Sequence, residues 1–210
     1  MQQPERAAQA ESRFALQLLA VCGFLLIIWT IKWCELWFDT RFAHWGVVPR
    51  TLTGLRGVLT MPLLHGDFQH LMANSSAFLI LGLLLLHFHG RRGVQHFAAL
   101  WLLSGSMVWL LARQVTHIGL SGVIYGISAF LFFDGMRRRN RAGSGVALIT
   151  ALLFGGSVWG MLPGQPGISW EGHLFGAISG LLLALRQPKP EPPPAEKRAP
   201  PEDDNWLWNE

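Results

Sequence analysis

Charge is scarce in this chain. Asp, Glu, Lys and Arg make up 14% of its 210 residues, while hydrophobic residues make up 50%. A soluble domain of this size carries about a quarter charged residues, so the balance excludes an ordinary soluble core. Several apolar runs are long enough to cross a bilayer, and the chain reads as an all-α, polytopic membrane protein. Cysteine is nearly absent too. Cys22 and Cys34 both fall in or beside the first apolar run, which excludes a disulfide framework and leaves no pair at metal-ligand spacing. No internal repeat stands out. The formal net charge of +4 does not argue for a nucleic-acid partner, because the basic residues cluster in short loops beside apolar runs, as membrane topology requires.

Six spans are expected. A polar segment, residues 1–13, ends in Arg13 and leads into the first span at about 14–37. The basic flank resembles a signal peptide, but the apolar run is long and no small-residue cleavage site follows. Trp29, Trp33 and Trp37 look like an interfacial girdle at its end. Residues 39–64 form a long semi-polar connection, too apolar over Leu52–Thr60 for plain coil, and suggest a short interfacial helix or packed loop. The second span begins near Gln69 and runs through Leu86, the third covers roughly 94–112, and the fourth runs from Gly119 to Asp134. The fifth covers about 145–162, before the breakers Pro163–Gly167, and the sixth covers about 168–185. Residues 14–186 thus form one six-helix membrane domain. Residues 187–210 are rich in proline and charge and are expected to be a disordered tail, with Trp206 and Trp208 near its end.

The charges predict an orientation. Arg91 and Arg92 lie between the second and third spans, and Arg137, Arg138, Arg139 and Arg141 between the fourth and fifth, whereas the fifth-to-sixth connection has no charge. By the positive-inside rule both termini and the two basic loops are cytoplasmic, although the first outer loop also carries three arginines. A bacterial plasma membrane is the expected location.

Polar residues then coincide in depth. His70 and Asn74 start the second span, Ser121 the fourth and His173 the sixth. At the helical rise, Ser121 stands roughly 20 Å above Asp134, His173 roughly 20 Å above Arg186 and Asn74 roughly 25 Å above Arg91. In a hydrocarbon core of about 30 Å, all fall in the outer half. A single serine in a span usually bonds its own backbone, and a single histidine can mark the interface. Ionisable groups within a membrane nevertheless point to function, and together, at one depth, these residues favour nucleophilic acyl transfer. Ser121 needs a base to attack, which neutral His173 can be. His70 and Asn74, four apart and hence on one face, are donors for an oxyanion, with the Ser121 N–H as a third. Tyr125 shares the face of Ser121 and can pack on the His173 ring. Gly119, Gly122 and Gly126, with Gly172, Gly176 and Gly180, form small-residue stripes that permit close helix approach. Zinc chemistry, through His65, His70 and His173, is less favoured, because no two histidines have the tight helical spacing of a metalloprotease. No metal or other cofactor is expected.

Gly119-Leu120-Ser121-Gly122 resembles the nucleophile motif of the rhomboid family of intramembrane serine proteases, and His173 with Gly176 and Gly180 resembles its catalytic histidine segment. Leu59-Thr60-Met61-Pro62-Leu63-Leu64-His65, followed by His70 and Asn74, is similar to the lead into the family's second span. The resemblance covers about 50–185. It implies a six-helix bundle with a Ser121–His173 dyad, an oxyanion hole of His70, Asn74 and the Ser121 amide, and supporting roles for Tyr125, Gly119 and His65. It further implies transmembrane-protein substrates cleaved in or near their spans, and a cap over the cavity at Pro163–Gly167. Two features depart from the family pattern. The Trp-Arg pair common before the Leu-Thr step is missing, since Arg56 follows Leu55 and Gly57 adds a residue, and Glu171 beside His173 is not part of the motif. The competing functional reading is a catalytically silent relative that binds or escorts membrane proteins; a small transporter is a more distant one.

Overall fold

The computed structural model describes residues 2–164, 167 and 169–188. Among them the fold is all-α, with eight α-helices in chain order: α1 (Gln2–Trp37), α2 (Leu52–Leu55), α3 (Gly57–Thr60), α4 (Phe68–His89), α5 (Arg91–Leu111), α6 (Ser121–Arg138), α7 (Arg141–Phe154) and α8 (Trp170–Arg186). Short 3₁₀ turns add Phe42–Trp45, Met61–Leu63 and Gly155–Met161, the last continuing α7. α1 shows no break between the expected polar segment and the first span. Residues 189–210, which hold most of the expected tail and both of its tryptophans, lie outside the described residues, as do Gln165 and Pro166 of the expected cap.

The six long helices alternate in direction, and contacts at one end demonstrate it. Lys32, near the end of α1, reaches the His65 and Gly66 carbonyls at 3.0 Å just before α4 begins. Arg113, just past α5, pairs with Glu171 in the first turn of α8. The opposite end gathers Arg91, Arg92, Arg137–Arg141 and Arg186. Four segments are long and apolar enough to cross a membrane: Glu5–Trp37, Phe68–His89, Arg91–Leu111 and Arg141–Met161. α6 and α8 do not meet that measure, and they pack more extensively on each other than any other pair. The protein is an integral membrane protein, and the two long helices that fall short of that measure lie against one another.

Glycine makes that contact possible. A methyl at Gly176 would collide with the Gly122 carbonyl, one at Gly180 with the Gly126 carbonyl, and one at Gly122 would sit 3.0 Å from the Gly172 oxygen. Around α6 the core is aliphatic and aromatic, with Leu71, Leu81, Leu100, Ile127 and Phe130 fully buried. Phe24, Phe78, Phe97 and Trp101 meet edge-on or tilted between α1, α4 and α5.

The long first connection is both a packed loop and a set of short helices. Thr51 caps α2 by accepting from the Gly54 N–H at 3.0 Å. Gly57 lies directly on the Gly46–Val47 backbone, where a side chain has no room. The missing Trp-Arg pair is rebuilt in space: the Arg56 guanidinium stacks 4.1 Å from the Trp45 ring centre, and its Nη2 donates to the His44 carbonyl at 3.2 Å.

Candidate active site

Three helix starts converge at the Lys32 end. Asp67 caps α4, its carboxylate accepting from the His70 N–H at 2.7 Å. This sets His70 and Asn74 one turn apart on the first stretch of the helix. Gly119 has φ +116, a conformation that favours glycine. It turns the chain so that α6 starts at Ser121, and it leaves the His70 ring against its Cα. A methyl built there would meet His70 Nε2 at 2.8 Å and Asn74 Nδ2 at 3.7 Å. Ser169 caps α8 by accepting from the Gly172 N–H at 3.3 Å, and His173 follows in the first turn.

Ser121 Oγ and His173 Nε2 are 2.9 Å apart. On the far side of the ring, His173 Nδ1 lies 2.8 Å from the Gly160 carbonyl oxygen. A carbonyl can only accept, so Nδ1 carries the proton and Nε2 presents its lone pair to the serine hydroxyl. The orienting third group is therefore a backbone carbonyl rather than a carboxylate. Tyr125 stacks on the imidazole with ring centres 4.2 Å apart and planes 8° from parallel, and its hydroxyl donates to the Ser157 carbonyl at 2.7 Å. Gly160 has no room for a side chain, because one would strike the Tyr125 hydroxyl. The segment after α7 thus holds both the histidine and the tyrosine.

The donor side is equally connected. Asn74 Nδ2 donates to His65 Nε2 at 3.0 Å; an amide carries two N–H donors, so one remains for another acceptor. His65 is buried, with 3% of its surface exposed, and stands edge-on to His70 at 5.1 Å. Burial, aided by the nearby His70, pushes the His65 pKa down from 6.5 to about 3. The ring stays neutral and keeps its acceptor. His65 accordingly meets the site through its contact with Asn74. Ser121 opens α6, where the N–H groups of the first turn have no partner in their own helix.

These groups line one cavity of about 920 Å³, with Asn74, His70, Ser121, Tyr125, His117 and His173 on its walls. That is ample for several peptide residues, small-molecule pockets being about 300–1,000 Å³. Gly167 and Ser169 border it, which puts the end of the Pro163–Gly167 loop at its edge. Its walls include residues of both α4 and α7, two helices that make little contact with each other. Among the described residues, no three His, Cys, Asp or Glu side chains are grouped to hold a metal. Glu171 is buried and ion-paired, Oε1 to Arg113 Nε at 2.9 Å. It does not face water. Asp134 pairs with Arg138 and His89 at the opposite end of the bundle.

The seven residues expected from the sequence, Ser121, His173, His70, Asn74, Tyr125, Gly119 and His65, lie together in the fold. Gly160 and Ser157 join them through backbone carbonyls alone, which leave no side-chain signature in the sequence. His117, four residues before Ser121, also reaches the cavity wall.

Comparison with known proteins bears on this geometry. The Rhomboid domain family model matches residues 53–188. An uncharacterized protein of Mycobacterium tuberculosis is 33% identical over 180 residues, which cover 81% of this chain and 75% of that protein. An uncharacterized protein of Mycobacterium leprae is 29% identical over 197 residues, or 90% and 78% of the two chains. A protein of Acanthamoeba polyphaga mimivirus named as a rhomboid protein is 31% identical over 137 residues, 60% of this chain and 72% of its own. The matched region contains α3 to α8 with Ser121, His173, His70, Asn74 and Tyr125, and the chain belongs to the rhomboid family.

Proposed function

We propose that this protein is an intramembrane serine endopeptidase that hydrolyses peptide bonds in or near the transmembrane segments of other membrane proteins. One observation carries the proposal: Ser121 Oγ lies 2.9 Å from His173 Nε2 while His173 Nδ1 is held by the Gly160 carbonyl. A serine serving only its own helix would need neither an oriented imidazole nor a cavity. In the reaction, His173 Nε2 takes the hydroxyl proton as Ser121 Oγ attacks the substrate carbonyl carbon. The Asn74 amide, His70 and the Ser121 N–H stabilise the oxyanion. The tetrahedral species collapses as His173 protonates the departing amine, leaving an acyl-enzyme on Ser121. Water, deprotonated by the same ring, then releases the acid and restores the hydroxyl.

The substrate must expose a carbonyl that its own helix would otherwise hydrogen-bond, so a locally unwound segment with small residues is favoured. The loose contact between α4 and α7 suits entry of such a segment from the lipid. The basic end of the bundle, with its six-arginine turns, orients both termini to the cytoplasm by the positive-inside rule, and the cavity then opens to the outer side. Residues 14–186 are the membrane domain, flanked by a short N-terminal segment and a Pro-rich tail.

Reconstitution in liposomes with a transmembrane reporter tests this directly. The parent chain should cut the reporter, and Ser121→Ala and His173→Ala should each abolish cleavage while leaving the unfolding temperature close to the parent's. Cleavage that persists in Ser121→Ala rules out the serine mechanism. Binding without cleavage by the parent chain would instead identify a silent escort.

A further inference from the structure

We propose that His117 and Ser169 form a polar latch that sets the spacing of Ser121 and His173; the inference rests on the serine-protease reading above. Each latch residue stands four positions before the reacting residue on its own segment: His117, in the extended lead into α6, before Ser121, and Ser169, the cap of α8, before His173. The two contacts run in parallel across the same gap, Ser169 to His117 at 2.6 Å and Ser121 to His173 at 2.9 Å.

The hydrogen-bond directions are determined. His117 Nε2 faces the Arg113 carbonyl at 3.1 Å, which can only accept, so the proton sits on Nε2 and Nδ1 is an acceptor. Ser169 Oγ–H donates to it, and the same oxygen accepts from the Gly172 N–H at the start of α8. A chain of bonds therefore runs from the α8 backbone, through two side chains, to the backbone that leads into α6. Burial lowers the pKa of His117 below the ordinary histidine value, consistent with the neutral form that this chain requires.

The anchor at the His117 end is rigid. Its backbone exchanges two hydrogen bonds with Val47, at 3.0 and 2.8 Å, and the residue is 1% exposed. A second tie reinforces the crossing, the Arg113–Glu171 ion pair between the same two segments. Glu171 is 3% exposed. A carboxylate that deep is costly unless paired, so the pairing resists any drift of the α8 start away from Arg113. The side-chain hydrogen bonds of His117 and Ser169 go to each other, to Arg113 and to Gly172 rather than to Ser121. Both are positioning residues.

The test uses the full chain in liposomes and reads the rate at which a fluorophosphonate labels Ser121, which needs the dyad but no substrate recognition. His117→Phe removes the latch and keeps the Ser169 cap; Ser169→Ala removes both; Ser169→Thr keeps the hydroxyl. Displacing reacting groups by about 1 Å costs on the order of a hundredfold. We therefore expect His117→Phe and Ser169→Ala each to label about tenfold to a hundredfold more slowly, with the folded fraction unchanged. Ser169→Thr should restore the rate, and the double variant should be no slower than the slower single one. Parent-like labelling in His117→Phe, losses that multiply in the double variant, or slowing that only tracks unfolding would each overturn the latch. A parent chain that takes no label would overturn the protease reading, and the latch with it; a labelled parent with unaffected variants overturns the latch alone.

Discussion

Gly176→Ala is the most discriminating single perturbation of the α6–α8 contact. The new methyl would lie well inside the van der Waals envelope of the Gly122 carbonyl oxygen, with the Gly122 Cα only 3.1 Å away. Ordinary contact begins near 3.4 Å. Both obstructing groups are helix backbone, which cannot swing aside as a side chain would, so the helices must part by at least about 1 Å. His173 lies one turn before Gly176 and Ser121 is adjacent to Gly122, so most of that displacement falls on the dyad. From 2.9 Å, the Ser121–His173 separation would pass beyond hydrogen-bond range, close to about 4 Å. Loss of an aligned base costs on the order of a hundredfold to ten-thousandfold in rate. The assay is reporter cleavage in liposomes alongside fluorophosphonate labelling, with Gly145→Ala as control because nothing lies within 4 Å of that position. Parent-like labelling by folded Gly176→Ala would refute the claim that glycine packing sets the dyad distance.

Two further outcomes follow from the Asn74–His65 pair. Asn74→Ala should slow reporter cleavage by on the order of tenfold to a thousandfold if its amide stabilises the oxyanion. His65→Ala should cause a smaller loss, and adding it to Asn74→Ala should change little, since His65 acts through Asn74; cleavage kinetics of the three variants check this. His65 also predicts a pH dependence of stability. Unfolded, it takes up a proton near pH 6.5; folded, only near pH 3. Between those values the unfolded chain holds the extra proton, so stability is complete above about pH 6.5 and declines as pH falls toward 3. Each unit of the difference corresponds to about 1.4 kcal/mol. Thermal unfolding of the parent and of His65→Gln from pH 7 to 4 measures the contribution, and the variant should show a shallower decline.

How legible the protein was in its sequence depended on what each feature is made of. Apolar run lengths located α4 and α5 to within a few residues, and the end of α1 though not its start at Gln2, because hydropathy and length are properties of a contiguous segment. The site's side chains were legible because depth along a helix is simple arithmetic, and because serine, histidine and asparagine stand out in an apolar background. Residues 39–64 resisted such reasoning, since their structure is decided by contacts distant in sequence. Trp45 and Arg56 are eleven positions apart yet stack, and Gly57 is glycine because the Gly46 backbone presses against it. Gly160 was invisible for another reason: its contribution is a carbonyl that every residue has, and only the fold directs it at His173.

That contrast bears on why Ser121 and His173 stand on the two long helices least able to span a membrane alone. α8 has 17 residues, about 26 Å at the helical rise, and α6 contains Asp134, Arg137 and Arg138. A lone helix of either kind would be a poor membrane span. α6 nevertheless packs against α4, α5, α7 and α8, so its polar groups meet protein rather than lipid, and the other helices supply the apolar exterior. Within that shelter glycine costs helix stability, about 1 kcal/mol per residue relative to alanine. The close backbone approach offsets the cost through packing, the main attraction left between helices in a lipid solvent. The same approach shortens the distance between side chains one turn away. In this bundle the glycines that weaken α6 and α8 as lone helices are the residues that let Ser121 and His173 meet.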